Sequence, residues 1–325
     1  MPEEITNEAA NSQVFLGLDL GSHTIRYGLV SSTAEVQNFR SEPYEPGSMQ
    51  DAQALIDQIR RVITRSIAGS AGAKIGGLGL AVPGMVHNQN RTVQGMASLP
   101  DLASIDLSST LEKEFRLPVT IENNARAAAF AEQSHGAAQG VADFLYLHIG
   151  ANFSAGLVLE GRLQYGRSGL AGAIGRMKIY VEHLAGPVRL EDLVSAANIV
   201  RRTRIRLERD KTSSLSRLGI GGGFSYDDII DCAHQGDQLS RMMIDRTGNF
   251  IAIAIADVIS LLNLSMVVIG GAVAARQFLV GAIDPEVRRR MSEAERDDCR
   301  IVPASLGPEA TVLGVGMLGR RALVR

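Results

Sequence analysis

The chain has 325 residues, 45% hydrophobic and 21% charged, with 33 Lys and Arg against 35 Asp and Glu for a net charge of -2. These values suit a globular protein of about two domains and give no global pull toward nucleic acid or anionic membrane. Two cysteines, Cys232 and Cys299, are too few for a disulfide framework or, alone, for a zinc site, so a reducing, cytoplasmic setting is expected. The acidic N-terminal stretch lacks the basic and apolar regions of a secretory signal. The longest apolar stretch, Phe250–Leu262, is too short to span a bilayer.

Val14–Asp19 reads as a strand ending on an acid, Leu20–Thr24 as a turn and Ile25–Val30 as a second strand, on β-branched and aromatic content. A third strand is expected over Ala34–Arg40. Asp51 stands where an N-cap belongs, and Leu55, Ile59, Val62 and Ile63 recur at helical spacing, predicting a helix over Ala52–Ile67. A strand over Ile75–Val82 stops at Pro83–Gly84. A helix at Leu107–Phe115, a strand at Val119–Glu122 and an Ala-rich helix at Asn124–Ser134 follow. This alternation argues for an α/β fold with largely parallel pairing.

The strand Phe144–Ile149, the turn Gly150–Ser154, the strand Ala155–Leu159 and a return at Leu163–Tyr165 repeat the opening theme, which predicts an internal duplication. After Leu190 the chain reads as mainly helical to Asn263, apart from a Ser/Gly-rich loop over Thr212–Gly223. Leu239, Met242, Met243, Phe250, Ile251, Ile255, Val258 and Ile259 make one apolar helix face, suited to a core or a dimer interface. Met266–Ile269 reads as a strand ending on Gly270–Gly271, and Ala310–Leu323 as the last helix.

Three of these strand ends carry chemistry. Asp19, Gly21, Ser22 and Thr24 combine an acid, a bare backbone and two hydroxyls, which suits a phosphate and its bridging metal ion. The alternative is a plain hairpin turn with a solvated Asp. Gly150 and Ala151 open a second such turn, and Gly270–Gly271 a third, where backbone suits a nucleoside. Together they point to a clamped polyphosphate.

In order along the chain, Asp19-Leu-Gly-Ser-His-Thr24, Leu80-Ala-Val-Pro-Gly84, Leu117 to Ala129, Leu163 to Gly172, Val267 to Gly271 and Leu306 to Ala310 resemble the ROK family of sugar kinases and repressors. The resemblance implies an α/β, actin-like ATPase fold of duplicated domains around a cleft. It implies a smaller domain from residues 13–121 plus 310–325 and a larger one from 122–309. It also implies ATP with Mg²⁺ as the nucleotide cofactor, and ligand contacts at Gly84, Ser98, Asn123, Asn124, Arg176 and Glu191.

The departures from the family pattern are concentrated on the sugar side. Active members read Glu-Asn-Asp where this chain has Glu122-Asn123-Asn124, and an amide cannot act as the general base. A Gly-Glu-x-Gly-His pattern is replaced by Gly172-Ala173-Ile174-Gly175-Arg176, and Ser98 stands where an Asn is usual. The His and the three Cys of the family's zinc site are missing, so no zinc is expected. Two function classes stay open. One is a kinase-like protein that binds a sugar-like ligand or nucleotide in a non-catalytic role. The other is an active sugar kinase using another base, such as Glu122, or another substrate.

Arg201, Arg202, Arg204, Arg206, Arg209 and Lys211 form a basic run, read as a solvated face because Glu208 and Asp210 are interspersed. The short stretch ahead of Asp19 leaves no room for a repressor's winged helix, so direct DNA binding is not expected. The six histidines show no ligand spacing, although Glu182 and His183 are candidate ligand contacts. The expected partners are a small molecule and a second copy of the chain as a homodimer, with no membrane.

Overall fold

Two five-stranded sheets organise the protein, one in each of two units. The computed structural model describes residues 13–87, 92–96, 99, 102, 105–181, 186–218, 223–274 and 278–323. The first unit comprises Met1–Gly140, Leu163–Ala171 and Leu306–Arg325, and the second Val141–Arg162 and Gly172–Ser305.

The first unit contains β1 (Val14–Leu20), β2 (Thr24–Val30), β3 (Val36–Pro43), α1 (Ala52–Ala68), β4 (Ile75–Val82), β5 (Met85–His87), β6 (Thr92–Gln94), α2 (Leu107–Phe115), β7 (Val119–Asn123) and α3 (Asn124–His135). The second contains β8 (Phe144–Ile149), β9 (Phe153–Leu159), β10 (Arg162–Leu163), β11 (Lys178–Tyr180), β12 (Pro187–Arg189), α4 (Glu191–Val194), α5 (Ala196–Leu207), α6 (Leu215–Leu218), α7 (Tyr226–His234) and α8 (Gln238–Leu262). β13 (Met266–Gly270), α9 (Phe278–Arg288), α10 (Glu293–Asp298) and β14 (Arg300–Pro303) complete it, and α11 (Ala310–Leu323) returns to the first unit.

The two sheets share one plan. The first runs β3-β2-β1-β4-β7 and the second β10-β9-β8-β13-β14. In each, the leading strand pairs antiparallel with its hairpin partner and parallel with the next strand, which pairs parallel with the last. The duplication read from the sequence is therefore present in the strand order.

β1 is buried along its whole length, as expected of a strand covered on both faces. On α1, the Asp51 carboxylate accepts the Ala54 N–H at 2.7 Å, and Leu55, Ile59, Val62 and Ile63 are buried. Each such burial stabilises the fold by about 1.5–3 kcal/mol. α11 lies directly on β1 and β4, because a side chain at Gly17 would strike the Val312 carbonyl and one at Gly79 the Val315 carbonyl.

Several bounds differ from those read from the sequence. β3 begins at Val36, because residues 31–35 form a turn. Ser31 Oγ accepts the Glu35 N–H at 3.1 Å, and Ala34 takes a φ of 62° within that turn. The loop expected over Thr212–Gly223 contains α6, whose entry is fixed by Asp237 accepting from Ser213 Oγ and the Ser214 N–H. α3, grouped in the sequence reading with the residues after it, packs on α11, so the units divide after Gly140. β5, β6, β11, β12, α9, α10 and β14 had no sequence counterpart. Among the described residues no helix is long and apolar enough to cross a membrane.

Candidate functional site

In the first unit the parallel register aligns Asp19 with Ala81, Ala81 with Glu122, and Val82 with Asn123. Asp19, the turn at Gly84 and the Asn123–Asn124 pair therefore gather at the carboxyl edge of β1, β4 and β7, where α/β sheets place ligands. Asp19 is only 2% exposed. Arg26, opposite it on β2, approaches one carboxylate oxygen at 3.5 Å, and the other oxygen, Oδ1, is buried without a hydrogen-bond partner. Burial pushes the Asp19 carboxyl up to about 6, with Arg26 opposing.

The turn after Asp19 is closed by the Gly21 N–H donating to the Thr24 carbonyl at 2.9 Å. The Tyr44 hydroxyl donates to the Gly21 carbonyl at 2.7 Å, and burial holds that phenol above its usual range, with Asp19 adding to the effect. Ser22 and Thr24 are half-buried.

Asn123 ties the edge together. Its Oδ1 accepts the N–H groups of Ala125 and Arg126, capping α3, and its Nδ2 donates to the Gly84 carbonyl at 2.8 Å. Asn124, first residue of α3, is 6% exposed, and its amide makes no hydrogen bond among the described residues. Glu122 is fully engaged. Its Oε1 accepts from Arg126 Nε and from the Asn123 N–H, both at 2.6 Å. Arg126 also donates to the Gly169 carbonyl at 2.7 Å and lies 5.1 Å from the centroid of the Tyr165 ring. Burial and the hydrogen-bonded Glu122 hold the Tyr165 phenol above its usual range.

In the second unit two glycine turns lie side by side. β8 and β13 run parallel with Gly270 opposite His148, and the Val273 N–H donates to the Ile149 carbonyl at 2.9 Å. Gly271 has a φ of 94°, and a Cβ there would sit 2.5 Å from the Ile149 oxygen, so only glycine fits. Across from it, the Gly150 N–H donates to the Asn152 carbonyl, and the Gly150 carbonyl accepts from Ala196, each at 3.0 Å. Ala151 is half-buried and offers a methyl group with no donor.

Also in the second unit, Glu191 opens α4. It accepts from the Phe153 N–H at 3.4 Å and pairs with Arg189 at 3.1 Å. Ala173 is half-buried, while Arg176 is exposed and makes no ion pair or hydrogen bond through its side chain among the described residues. Ser98, Glu182 and His183 lie outside the described residues. Among the described residues no three His, Cys, Asp or Glu side chains converge as a metal site, and both cysteines are buried and free.

The structure thus gathers Asp19, Gly21, Gly84, Asn123 and Asn124 on one sheet edge and Gly150, Ala151, Gly270 and Gly271 on another. Sequence reasoning missed Arg26, Tyr44, Arg126 and Tyr165. Hairpin register gave a signal for Arg26, and the four-residue spacing from Glu122 gave one for Arg126. Tyr44 and Tyr165 had none.

A glucokinase of Halalkalibacterium halodurans is 27% identical over 316 residues, covering 94% of each chain. A xylose repressor of Bacillus spizizenii is 26% identical over 307 residues, covering 93% of this chain and 76% of the repressor. A crystal structure of a ROK family glucokinase from Streptomyces griseus, in complex with glucose and AMPPNP, superposes with a TM-score of 0.82 at 24% identity. That match covers 95% of this chain and 99% of the other. The fold is the actin-like ATPase fold of ROK sugar kinases. The ROK family model matches residues 15–322, through both duplicated sheets and the Glu122–Asn124 corner, and the chain is a member of the ROK family.

Proposed function

We propose that this ROK-family sugar-kinase homologue binds a sugar-like ligand, a nucleotide or both, in a regulatory role with phosphotransfer impaired. The observation that carries the reading is Asn124, buried at the carboxyl edge of β7 with an unengaged amide. An amide can hold a hydroxyl by hydrogen bonding but cannot take its proton at neutral pH. A positioned general base is worth about 10²–10⁴ in rate. Glu122 is a poor substitute, because its carboxylate is neutralised by Arg126 and committed to the Asn123 N–H.

Nucleotide binding fits the residues present. The orphaned Asp19 Oδ1 suits a metal-bound water, and Gly21, Gly150, Gly270 and Gly271 put turns without side chains at strand ends where a phosphate and a nucleoside would lie, although the N–H groups of Gly21 and Gly150 are engaged within their own turns. Mg·ATP, when bound, supplies the phosphoryl group and the cation that offsets its charge. Ser22 and Thr24 add hydroxyls beside Asp19, and Ala151 adds none. For the ligand, the reading uses Gly84, Asn123 and Asn124 in the first unit, Arg176 and Glu191 in the second, and Ser98. Zinc has no part in it, since Arg176 and no cysteine stand in the 176–191 segment. Stoichiometric zinc by elemental analysis of protein purified without added metal would contradict that.

The deciding experiment is turnover with Mg·ATP across hexoses, N-acetylhexosamines and polyols. Phosphorylation should be undetectable or slower by orders of magnitude than in glucokinase relatives. Asn124→Asp alone should restore little, while Asn124→Asp with Ala173→Glu and Arg176→His should restore some, because orientation carries several kcal/mol of such barriers. Robust turnover by the unmodified protein would sink this reading in favour of an active sugar kinase with another base or substrate.

A further inference from the structure

Away from the glycine turns, α5 and α8 of the second unit form a groove of about 250 Å³ lined by Arg202, Ile205, Arg206, Arg209, Met243 and Arg246. Arg202 and Arg206 follow at i and i+4 on one face of α5, Arg209 stands in the turn that ends the helix, and Arg246 joins them from the neighbouring helix. The basic run expected to be a solvated face is thus partly built into the fold.

Arg202 anchors the groove. Its Nη1 donates to the Leu193 carbonyl at 2.5 Å and to Thr247 Oγ1 at 3.2 Å, and its guanidinium lies 4.9 Å from the Phe250 ring centroid. Desolvation by burial, then Arg246 and Arg201, lower the Arg202 pKa to about 10. Its neighbours are uncompensated. Arg206, Arg209 and Arg246 are exposed, and none makes an ion pair among the described residues. Asp210 feels Arg206, yet its carboxylate accepts from the Thr212 N–H and Oγ1. Like charges held together, with the nearby Asp210 carboxylate bonded to Thr212 and not to them, cost free energy that a bound anion removes.

We infer that this groove is a binding site for a small phosphorylated ligand, held by Arg206, Arg209 and Arg246 around the anchored Arg202. Guanidinium forks match phosphate oxygens in pairs, and several converging forks favour a ligand with more than one phosphate charge. Met243, only 3% exposed, and Ile205, 52% exposed, give the groove an apolar side against which a sugar ring can lie. A second copy of the chain is a poor occupant, since a twofold contact would set this cationic surface against itself. The site is independent of the function proposed above.

The test is titration calorimetry at physiological ionic strength with two probes, inorganic pyrophosphate and fructose 1,6-bisphosphate. The unmodified protein, the double variant Arg206→Gln with Arg246→Gln, and the control Arg300→Gln are compared. At least one probe should bind, with affinity reduced tenfold or more in the double variant and unchanged in the control. Binding of pyrophosphate alone assigns the site to inorganic phosphates, and binding of the bisphosphate assigns it to phosphorylated sugars. No binding of either probe at millimolar concentration overturns the proposal. So does binding that the double variant leaves intact, which locates the anion elsewhere, or duplex DNA displacing both probes. Circular dichroism of the double variant confirms that it is folded, as expected for two exposed side chains without partners.

Discussion

Arg126 heads the fully buried side chains among the described residues, and its charge must be satisfied within the first unit. It does so with Glu122, the Gly169 carbonyl and the Tyr165 ring, although Nη2 is left without a partner. A buried ion pair is weak evidence of net stability, but removing one member leaves the other uncompensated. Arg126→Ala should therefore cost about 3–5 kcal/mol in urea unfolding. Arg126→Met combined with Glu122→Gln should cost less than the sum of the two single changes, and additivity would refute the coupling. The same pair commits the Glu122 carboxylate to Arg126 and the Asn123 N–H.

Among the elements, α11 matters most for the first unit. It presents Gly314 to the carbonyl of Ala127 on α3 and Gly316 to the Val30 side chain, while Gly17 and Gly79 clear its path over the sheet. These bare positions let backbones meet where side chains usually intervene. Gly314→Ala should destabilise by about 1–3 kcal/mol, because the methyl group would enter the space of a helix carbonyl. Gly319→Ala on the same helix is the control, since its nearest atom lies at 3.6 Å. It should be neutral or gain up to about 1 kcal/mol from helix propensity. Equal losses at both positions, read from denaturant midpoints, would mean that the helix tolerates no alanine rather than that one contact is tight.

Across the whole molecule, the glycine turns and Asp19 predict that Mg·ATP stabilises the native state. A ligand at a hundred times its dissociation constant adds about 2.7 kcal/mol, which is visible as a rise in unfolding temperature. Asp19→Asn should blunt that rise. Millimolar Mg·ATP producing neither a thermal shift nor binding heat would remove nucleotide from the proposed function. The duplicated strand-turn-strand plan, the helices at Ala52 and Ala310 and all three glycine turns were legible in the chain, because strand composition, helical spacing and punctuation are local properties. That residue 124 carries an amide rather than a carboxylate was legible directly. Tertiary structure alone decided that Arg126 meets Gly169, 43 residues away, and that Tyr44 closes the turn at Gly21. It also brought Arg246 to the arginines of α5 and turned that run into a groove. A periodic pattern names the face of an element to be buried, but the partner that covers it is chosen by packing between segments far apart in the chain.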